Sequence, residues 1–487
     1  MKIWLFLLLS FLSLSVQAQQ TPYQHFEVDS AAEPRGGMAY LTTFIQANLR
    51  KPIAAEAAGT GGIVIVGGTV EPDGRIADVA VMKGLRPDCD REAARVFKLF
   101  NAWKPAQKGN KAVQQRVSIP VKFNQNASYL YRDGAQITFF DKKQKPVTDS
   151  SLAAYKQTTP LDSIGLPAGN VVIYEKKRNQ WEVVSTVPFV RKTNTPQETS
   201  DFYQQATYSI GYPSSIYRYD GQLANVDEAG RLLRRAYFQT GKRVGAEYIY
   251  YLNGCVAERI EEIDNQINYT DWYPNGQIKQ LKTLAKAEPG KASQPEQVSA
   301  YWDSTGTQIV KNGFGHVVYQ LLAPSKVVSS HQTQLTEQGS YANGLKQGIW
   351  MGVYADGSYF YEEQYDKGVC QIGKAKSTEG DTTRYTVVQQ SPEFVGGLPA
   401  LQRFLAENLR YPPDAQRAGV QGRVFVSFLV DTDGALRDYQ IIRGASPDLD
   451  EEAVRVVKAS NGHWKPAFQR GQRVQIRFNL PINFALQ

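Results

Sequence analysis

Few side chains in this sequence could carry out catalysis. The four histidines, His25, His316, His331 and His463, lie far apart, and no two have the spacing of a metal-binding pair. No serine occupies a G-x-S-x-G elbow, and there is no phosphate-binding P-loop motif. The acidic run at 261–264 is more typical of a solvated strand or turn edge than of a catalytic pair. We therefore expect no enzymatic activity, no metal and no cofactor.

The chemistry that the sequence does offer is backbone pairing near its C-terminal end. Residues 474–484 form a strand-like run that contains Pro481. A proline donates no ladder hydrogen bond, so this run is predicted to be an edge strand whose free N–H and C=O groups can accept an extended peptide. The predicted contact residues are Val474, Gln475, Ile476, Arg477, Phe478 and Asn479. The alternative is that Arg473, Arg477 and Pro481 protect this edge from pairing.

Three other aromatic or proline positions in the C-terminal part of the chain have two interpretations each. Tyr411 and Pro412 follow a predicted helix, where they could form a contact surface or pack across the helix end. Trp464 is predicted to be a core residue rather than a ligand-binding one.

The elements that must position this strand occur twice in the chain. Four pairs are each 360 residues apart: Gly37 and Gly397, Leu49 and Leu409, Gly74 and Gly434, Asp90 and Asp450. Later pairs, such as Pro120 and Pro481, are 361 apart, which indicates one inserted residue. This register predicts duplication of one folding unit with the order helix, strand, strand, helix, strand. The predicted fold class is α+β, with an antiparallel three-stranded sheet and two helices in each copy.

Between the two copies the sequence changes character. Residues 125–206 carry mixed strand and loop signals, and from 207 to 373 glycine turns recur, several of them Asn-Gly or Asp-Gly with aromatic residues before them. This pattern predicts an array of β-hairpins. The predicted domains are therefore a first copy at 30–124, a mixed region at 125–206, the hairpin array at 207–373 and a second copy at 388–487.

The first residues and the overall charge indicate the compartment. Residues 1–18 have a lysine, an apolar core and a small-residue cleavage motif, so we predict a signal peptide that is removed on export. A retained membrane anchor is the alternative. The net charge of +8 is spread without basic runs, which argues against nucleic acid as a partner. Cys89 aligns with Leu449 and is predicted to be a core residue, and the odd count of three cysteines leaves at least one free thiol.

The C-terminal copy resembles the C-terminal domain of the TonB family. The matching residues are Tyr411-Pro412, Gly422 before a run of alternating Val424, Val426, Phe428 and Val430, Asp433-Gly434, Leu449-Asp450, Trp464-Lys465-Pro466 and Leu480-Pro481-Ile482 with Phe484. The N-terminal copy resembles a degenerate member, with Lys51 in place of Tyr411 and Gly68 in place of Phe428. The hairpin array is similar to MORN repeats.

This resemblance implies a periplasmic domain whose last strand accepts an extended peptide of an outer-membrane transporter. The sequence lacks the long proline-rich spacer of true transducers. We therefore expect a periplasmic adaptor that binds by strand addition to such a transporter or to another envelope protein. The alternatives are a structural protein whose repeats hold peptidoglycan or lipid through exposed aromatics, and a true energy transducer with an uncleaved anchor. The oligomeric state is left open.

Overall fold

The computed structural model describes residues 21–194, 206–213, 221–239, 241–286, 294–327, 331–378 and 380–486. The predicted signal peptide at 1–18 lies outside these residues. Within the described ranges, none of the helices combines the length and the apolar content that crossing a membrane requires.

The N-terminal domain is a three-stranded antiparallel sheet covered by helices. A single 3-10 turn, His25–Glu27, precedes it. Its helices are α1 Met38–Asn48, α2 Ile53–Ala57 and α3 Pro87–Leu99. Its strands are β1 Glu33–Pro34, β2 Gly62–Val70, β3 Ile76–Lys83, β4 Trp103–Lys104, β5 Ala106–Lys108, β6 Lys111–Val113 and β7 Gln115–Phe123. The main sheet has the order β3-β2-β7, and buried residues alternate along β7, so that one face of the sheet meets the helices.

A second sheet occupies most of the region for which the sequence signals are mixed. Its strands are β8 Tyr131–Arg132, β9 Ala135–Phe140, β10 Pro146–Val147, β11 Tyr155–Pro160, β12 Val171–Lys177 and β13 Gln180–Val187. They pair in the order β10-β9-β11-β12-β13, with β8 beside β9.

The predicted hairpin array is divided between two antiparallel sheets. The first contains β14 Val190–Thr193, β15 Tyr208–Gly211, β16 Gly221–Val226, β17 Leu232–Gln239, β18 Lys242–Arg243, β19 Glu247–Tyr250, β20 Val256–Ile263, β21 Gln266–Trp272, β22 Ile278–Ala285, β23 Gln297–Trp302 and β24 Gln308–Val310. The second contains β25 Gly315–Pro324, β26 Gln332–Ala342, β27 Leu345–Tyr354, β28 Tyr359–Asp366, β29 Val369–Ser377 and β30 Thr383–Tyr385. In both sheets successive strands pair, apart from the short β18, which forms a side branch on β17. We call them the first and second repeat sheets.

The C-terminal domain repeats the N-terminal one. Its helices are α4 Gly397–Asn408, α5 Pro413–Arg417 and α6 Pro447–Ala459. Its strands are β31 Gln389–Gln390, β32 Glu393–Phe394, β33 Gly422–Val430, β34 Leu436–Arg443, β35 Trp464–Lys465, β36 Ala467–Gln469, β37 Gln472–Val474 and β38 Ile476–Phe484. The sheet order β34-β33-β38 matches β3-β2-β7, so a three-stranded antiparallel sheet is present in both copies, as predicted. The prediction of two helices was wrong: each copy has a third, five-residue helix, because the proline after the first helix starts a new helix instead of only ending the first.

The two domains attach to the repeat sheets in different ways. The core of the N-terminal domain continues into the first repeat sheet through residues such as Phe44, Phe100 and Trp272. The C-terminal domain has a core of its own. It meets the second repeat sheet through Arg470, whose Nε donates to the fully buried Glu363 at 2.8 Å.

The three cysteines are all free thiols. Cys89 is fully buried in the N-terminal core, which confirms its predicted place there. Trp464 is also buried, and its indole N–H donates to the Ser460 hydroxyl at 3.1 Å, so its prediction as a core residue is confirmed.

Two carboxylates in the first repeat sheet make its stability depend on pH. Glu258 on β20 faces Asp271 on β21. Burial, reinforced for Glu258 by the neighbouring Asp271, raises the pKa of Glu258 to about 7, and burial raises that of Asp271 to about 6. Because these pKa values lie above those of the unfolded chain, the folded state holds protons more tightly. The free energy of unfolding should therefore fall as pH rises from about 4 to about 7.

Glu258→Gln is expected to remove much of this loss. At pH 8 it should raise the free energy of unfolding by about 1–3 kcal/mol, and at pH 4.5 it should change it little. Urea unfolding at both pH values measures the effect. Glu228→Gln, in an exposed turn, is the control. A pH-independent gain from Glu258→Gln would contradict the prediction.

Candidate peptide-binding edge of the C-terminal domain

No strand in the described ranges pairs with the outer side of β38. β38 pairs with β33 along its whole length, from Ile476 opposite Val430 to Phe484 opposite Gly422. β34 pairs with the other side of β33. Among the residues that the structure describes, no backbone hydrogen bond reaches the outer side of β38. The predicted edge strand is therefore present.

The N-terminal domain shows which backbone groups of this strand point outward. There the N–H of Tyr23 donates to the Gln114 carbonyl at 3.0 Å, and the N–H of Arg116 donates to the Tyr23 carbonyl at 3.0 Å. Backbone groups alternate in direction along a strand, so residues 114, 116, 118 and 120 point away from β2. The equivalent outward residues in the C-terminal domain are 475, 477, 479 and 481. Pro481 thus falls at a position where the sheet needs no N–H.

The predicted contact residues divide accordingly. Gln475, Arg477 and Asn479 direct their backbone groups outward, whereas Ile476 and Phe478 direct theirs toward β33. Val474 is not on the edge strand: it belongs to β37 and pairs with Ala467 of β36. The run predicted as one strand is broken at Gln475 because the hairpin β36–β37 takes its first residue.

The side chain of Arg477 is already engaged within the domain. Its guanidinium forms an ion pair with Asp438 on β34, and Nη1 donates to the Asp438 carbonyl at 2.9 Å. Only 12% of the side chain is exposed. The backbone of Arg477, rather than its charge, is thus the part that a peptide could contact.

Phe478 is partly buried and packs against the domain core. Its ring lies 5.8 Å from that of Phe428 and 5.2 Å from that of Trp464, centroid to centroid. Phe428 itself is fully buried. In the N-terminal domain Gly68 replaces Phe428, and Ile76 takes up that space. The aromatic ring that the N-terminal copy lacks at this position therefore belongs to the core and not to a binding surface.

Tyr411 and Pro412 lie away from the outward residues. The Tyr411 hydroxyl donates to the Val420 carbonyl at 2.5 Å, and its ring meets that of Phe484 edge to face at 5.8 Å. Phe484 ends β38, so the tyrosine lies roughly 20 Å along the strand from Arg477. The pair lines a shallow groove of about 370 Å³ with Arg410, Asp448, Glu451 and Arg455. The structure thus does not bring these two residues together with Gln475–Asn479.

The same edge is partly occupied in the N-terminal domain. Tyr23 pairs in parallel with Gln115 at the start of β7. Lys108 places its Nζ 4.3 Å from the Tyr23 ring centroid, and the N–H of Asp29 donates to the Gln107 carbonyl at 2.8 Å. In the C-terminal domain the corresponding upstream residues, Thr383–Tyr385, instead pair with β29 of the second repeat sheet. The two copies therefore differ in whether their own chain covers the edge.

Aromatic side chains of the repeat sheets mostly face inward. Tyr250, Trp272, Trp302, Trp350 and Tyr361 are all buried. These rings stabilise the sheets and are not available for stacking on a glycan. The predicted alternative of a glycan-holding repeat body thus lacks support from its largest aromatics.

This geometry defines two small α+β domains in which a three-stranded antiparallel sheet ends in a long edge strand. Residues 48–125 and 407–486 each match the family described as Gram-negative bacterial TonB protein C-terminal. The chain therefore carries two TonB C-terminal domains. The resemblance of the central sheets to MORN repeats stays a prediction.

Individual relatives match over a limited part of the chain. Protein TonB of Helicobacter pylori, from strains 26695 and J99, is 27% identical over 114 residues, which is 23% of this chain and 38% of each relative. Two NMR solution structures of the Helicobacter pylori TonB-CTD are 26% and 25% identical to this chain. They cover 18% of it and 80% and 91% of their own lengths, with TM-scores of 0.16 and 0.15.

Sequence reasoning missed several residues around these domains. Asn408, Arg410, Glu452 and Arg455 have identical counterparts in Asn48, Arg50, Glu92 and Arg95. Their identity across the 360-residue register was the available signal, since most other surface positions of the two copies differ.

Proposed function

We propose that the C-terminal domain binds an extended peptide of an envelope protein by adding it as a strand to the outer edge of β38. The observation that carries this proposal is the one-sided pairing of β38. A strand edge offers alternating donors and acceptors, and a peptide that pairs with them gains several hydrogen bonds at once.

The proposed role is that of a periplasmic adaptor linked to outer-membrane transport. It rests on the two TonB C-terminal domains and on the predicted signal peptide. N-terminal sequencing of the mature protein tests the compartment. A start at Gln19 would support export with cleavage, whereas an intact Met1 would favour the anchored transducer.

The loss of one outward N–H should weaken partner binding. Asn479→Pro removes an N–H that has no acceptor among the described residues, and its ring obstructs an incoming strand. Recovery of partners from an outer-membrane extract, with the full chain as bait, should fall on the order of tenfold, as expected for about 1.4 kcal/mol. The thermal unfolding midpoint should change little.

Asn479→Ala is the matched control, because it removes the same side chain and keeps the N–H. It should recover partners as the wild type does. Ile476→Pro is less informative here, since its N–H points toward β33 and its loss would weaken the domain itself. Equal recovery by Asn479→Pro and Asn479→Ala would exclude strand addition at this edge.

A further inference from the structure

The C-terminal end of helix α1 in the N-terminal domain packs against the β19–β20 hairpin of the first repeat sheet. Asn48, the last residue of α1, donates from Nδ2 to the Phe44 carbonyl at 2.9 Å. Its Oδ1 accepts the backbone N–H of Val256, which begins β20, at 2.7 Å. Asn48 is only 1% exposed. One amide thus joins the end of the helix to the end of the hairpin.

Arg50 makes the other contacts between the N-terminal domain and this hairpin. Its guanidinium carbon lies 4.7 Å from the ring centroid of Tyr250, the last residue of β19. Its Nη2 donates to the Gly254 carbonyl in the turn at 3.4 Å. Asn48 and Arg50 therefore contact three features of the hairpin: the aromatic residue that ends the first strand, the glycine carbonyl of the Asn-Gly turn and the first N–H of the second strand.

The C-terminal domain carries the same residues, and no hairpin that the structure describes contacts them. Asn408 ends α4 and donates from Nδ2 to the Phe404 carbonyl at 2.8 Å, as Asn48 does to Phe44. Its Oδ1 accepts no hydrogen bond from any residue in the described part of the chain. Asn408 and Phe404 are half-buried and Arg410 is exposed, whereas their N-terminal counterparts Asn48 and Phe44 are buried.

The backbone that presents these side chains is held in the same way in both domains. The N–H of Arg50 donates to Glu92 and that of Arg410 to Glu452, each at 2.6 Å. Arg95 donates to the Asn48 carbonyl at 2.7 Å, and Arg455 donates to the Asn408 carbonyl at 2.6 Å. Because the same network forms with and without an occupant, the C-terminal surface is formed in advance.

We infer that the C-terminal surface made by Phe404, Asn408 and Arg410 binds a β-hairpin of a separate protein. The hairpin must end one strand with an aromatic residue, turn through Asn-Gly or Asp-Gly, and offer the first N–H of its second strand. Oδ1 of Asn408 would accept that N–H, and Arg410 would lie over the aromatic ring and bond the glycine carbonyl. This surface is separate from the outer edge of β38 and does not depend on the proposed strand addition.

The occupant is assigned to another protein because the described hairpins of this chain that have this pattern are not free to bind. Gly276, in the Asn-Gly turn between β21 and β22, lies against Phe44 and Phe100 of the N-terminal domain. Tyr354, which ends β27 before the Asp356-Gly357 turn, is buried within the second repeat sheet. Tyr250, Gly254 and Val256 are bound to the N-terminal domain in the same molecule. A second copy of the chain would have its hairpin covered in the same way.

The test uses the full chain and a fluorescent cyclised peptide with the sequence of residues 247–258, carrying Cys255→Ser. Fluorescence polarisation should show saturable binding to the wild type. Asn408→Ala and Arg410→Ala should each raise Kd about threefold to tenfold, the effect of one lost hydrogen bond. The Arg410 variant keeps the test valid if Asn408→Ala folds poorly, because the Arg410 side chain is exposed.

Gln402→Ala is the matched control on the same helix. Its counterpart Thr42 is exposed although α1 packs against the hairpin. Gln402 therefore lies outside the surface made by Phe404, Asn408 and Arg410, and its replacement should leave Kd unchanged. Asn479→Pro should also leave Kd unchanged, which separates this site from the edge of β38. The inference is overturned if the wild type shows no saturable binding up to about 1 mM peptide, or if Asn408→Ala and Arg410→Ala both bind like wild type. If the wild type forms dimers in solution and Arg410→Ala abolishes them, the occupant is a second copy of this chain, and the choice of a separate partner is overturned.

Discussion

Replacing Arg470 by methionine is expected to lower the free energy of unfolding by about 3–5 kcal/mol, because the change leaves the Glu363 carboxylate buried without its cation. Glu363 is fully buried, and it also accepts the hydroxyls of Tyr365 at 3.0 Å and Tyr385 at 2.8 Å. The Arg470 guanidinium carbon lies 3.4 Å from the ring centroid of Tyr361. One side chain thus joins the C-terminal domain to the second repeat sheet.

Chemical unfolding followed by tryptophan fluorescence measures this effect. Arg473→Met is the control, since Arg473 lies on the same hairpin and is exposed. The double variant Arg470→Met with Glu363→Gln should recover part of the loss, because the buried carboxylate is then neutral. If Arg470→Met unfolds like Arg473→Met, the ion pair does not hold the domain to the sheet.

The second large effect is expected from Gly352→Ala in the second repeat sheet. Gly352 on β27 faces Tyr361 on β28, and a Cβ added at this glycine would overlap the tyrosine ring. Tyr361 is 1% exposed and its hydroxyl donates to Glu337 at 3.0 Å, so the ring has little room to move. Overpacking of this kind costs about 1–3 kcal/mol.

Thermal unfolding of Gly352→Ala tests this prediction. Gly373, which lies beneath the ring of Tyr385, should respond to alanine in the same direction. Val353→Thr, at an exposed neighbouring position, serves as the control and should change the midpoint little. An unchanged midpoint for both glycine variants would show that the rings can shift without cost.

The duplicated domains were predictable because their signals are local and repeated. Alternating apolar residues in Gly422–Val430 and the proline in Ile476–Phe484 predicted a sheet with β38 at its edge, and the 360-residue register predicted the second copy. The position of Val474 was not predictable in this way. A strand-like run gives no sign that a short hairpin takes its first residue.

The contacts between distant segments were beyond sequence reasoning. Arg470 and Glu363 are 107 residues apart, and neither stands in a motif. The packing roles of Gly339, Gly352 and Gly373 were also missed, because a glycine in a sequence is usually interpreted as a turn residue. In the structure each lies under an aromatic ring, of Trp350, Tyr361 and Tyr385 respectively. Only the pairing of strands shows which glycine lies beneath which ring.

The strand order within the sheets has a consequence for how the molecule folds. Neighbouring strands of the second repeat sheet are also neighbours in sequence, so this sheet can form hairpin by hairpin. Each terminal domain must instead join strands separated by an entire helix, β2 to β7 and β33 to β38. The sheet around Glu363 is therefore expected to form before the C-terminal domain packs on it. Until the C-terminal domain packs on the sheet, the Glu363 carboxylate lacks its cation, and the arrival of Arg470 completes the ion pair.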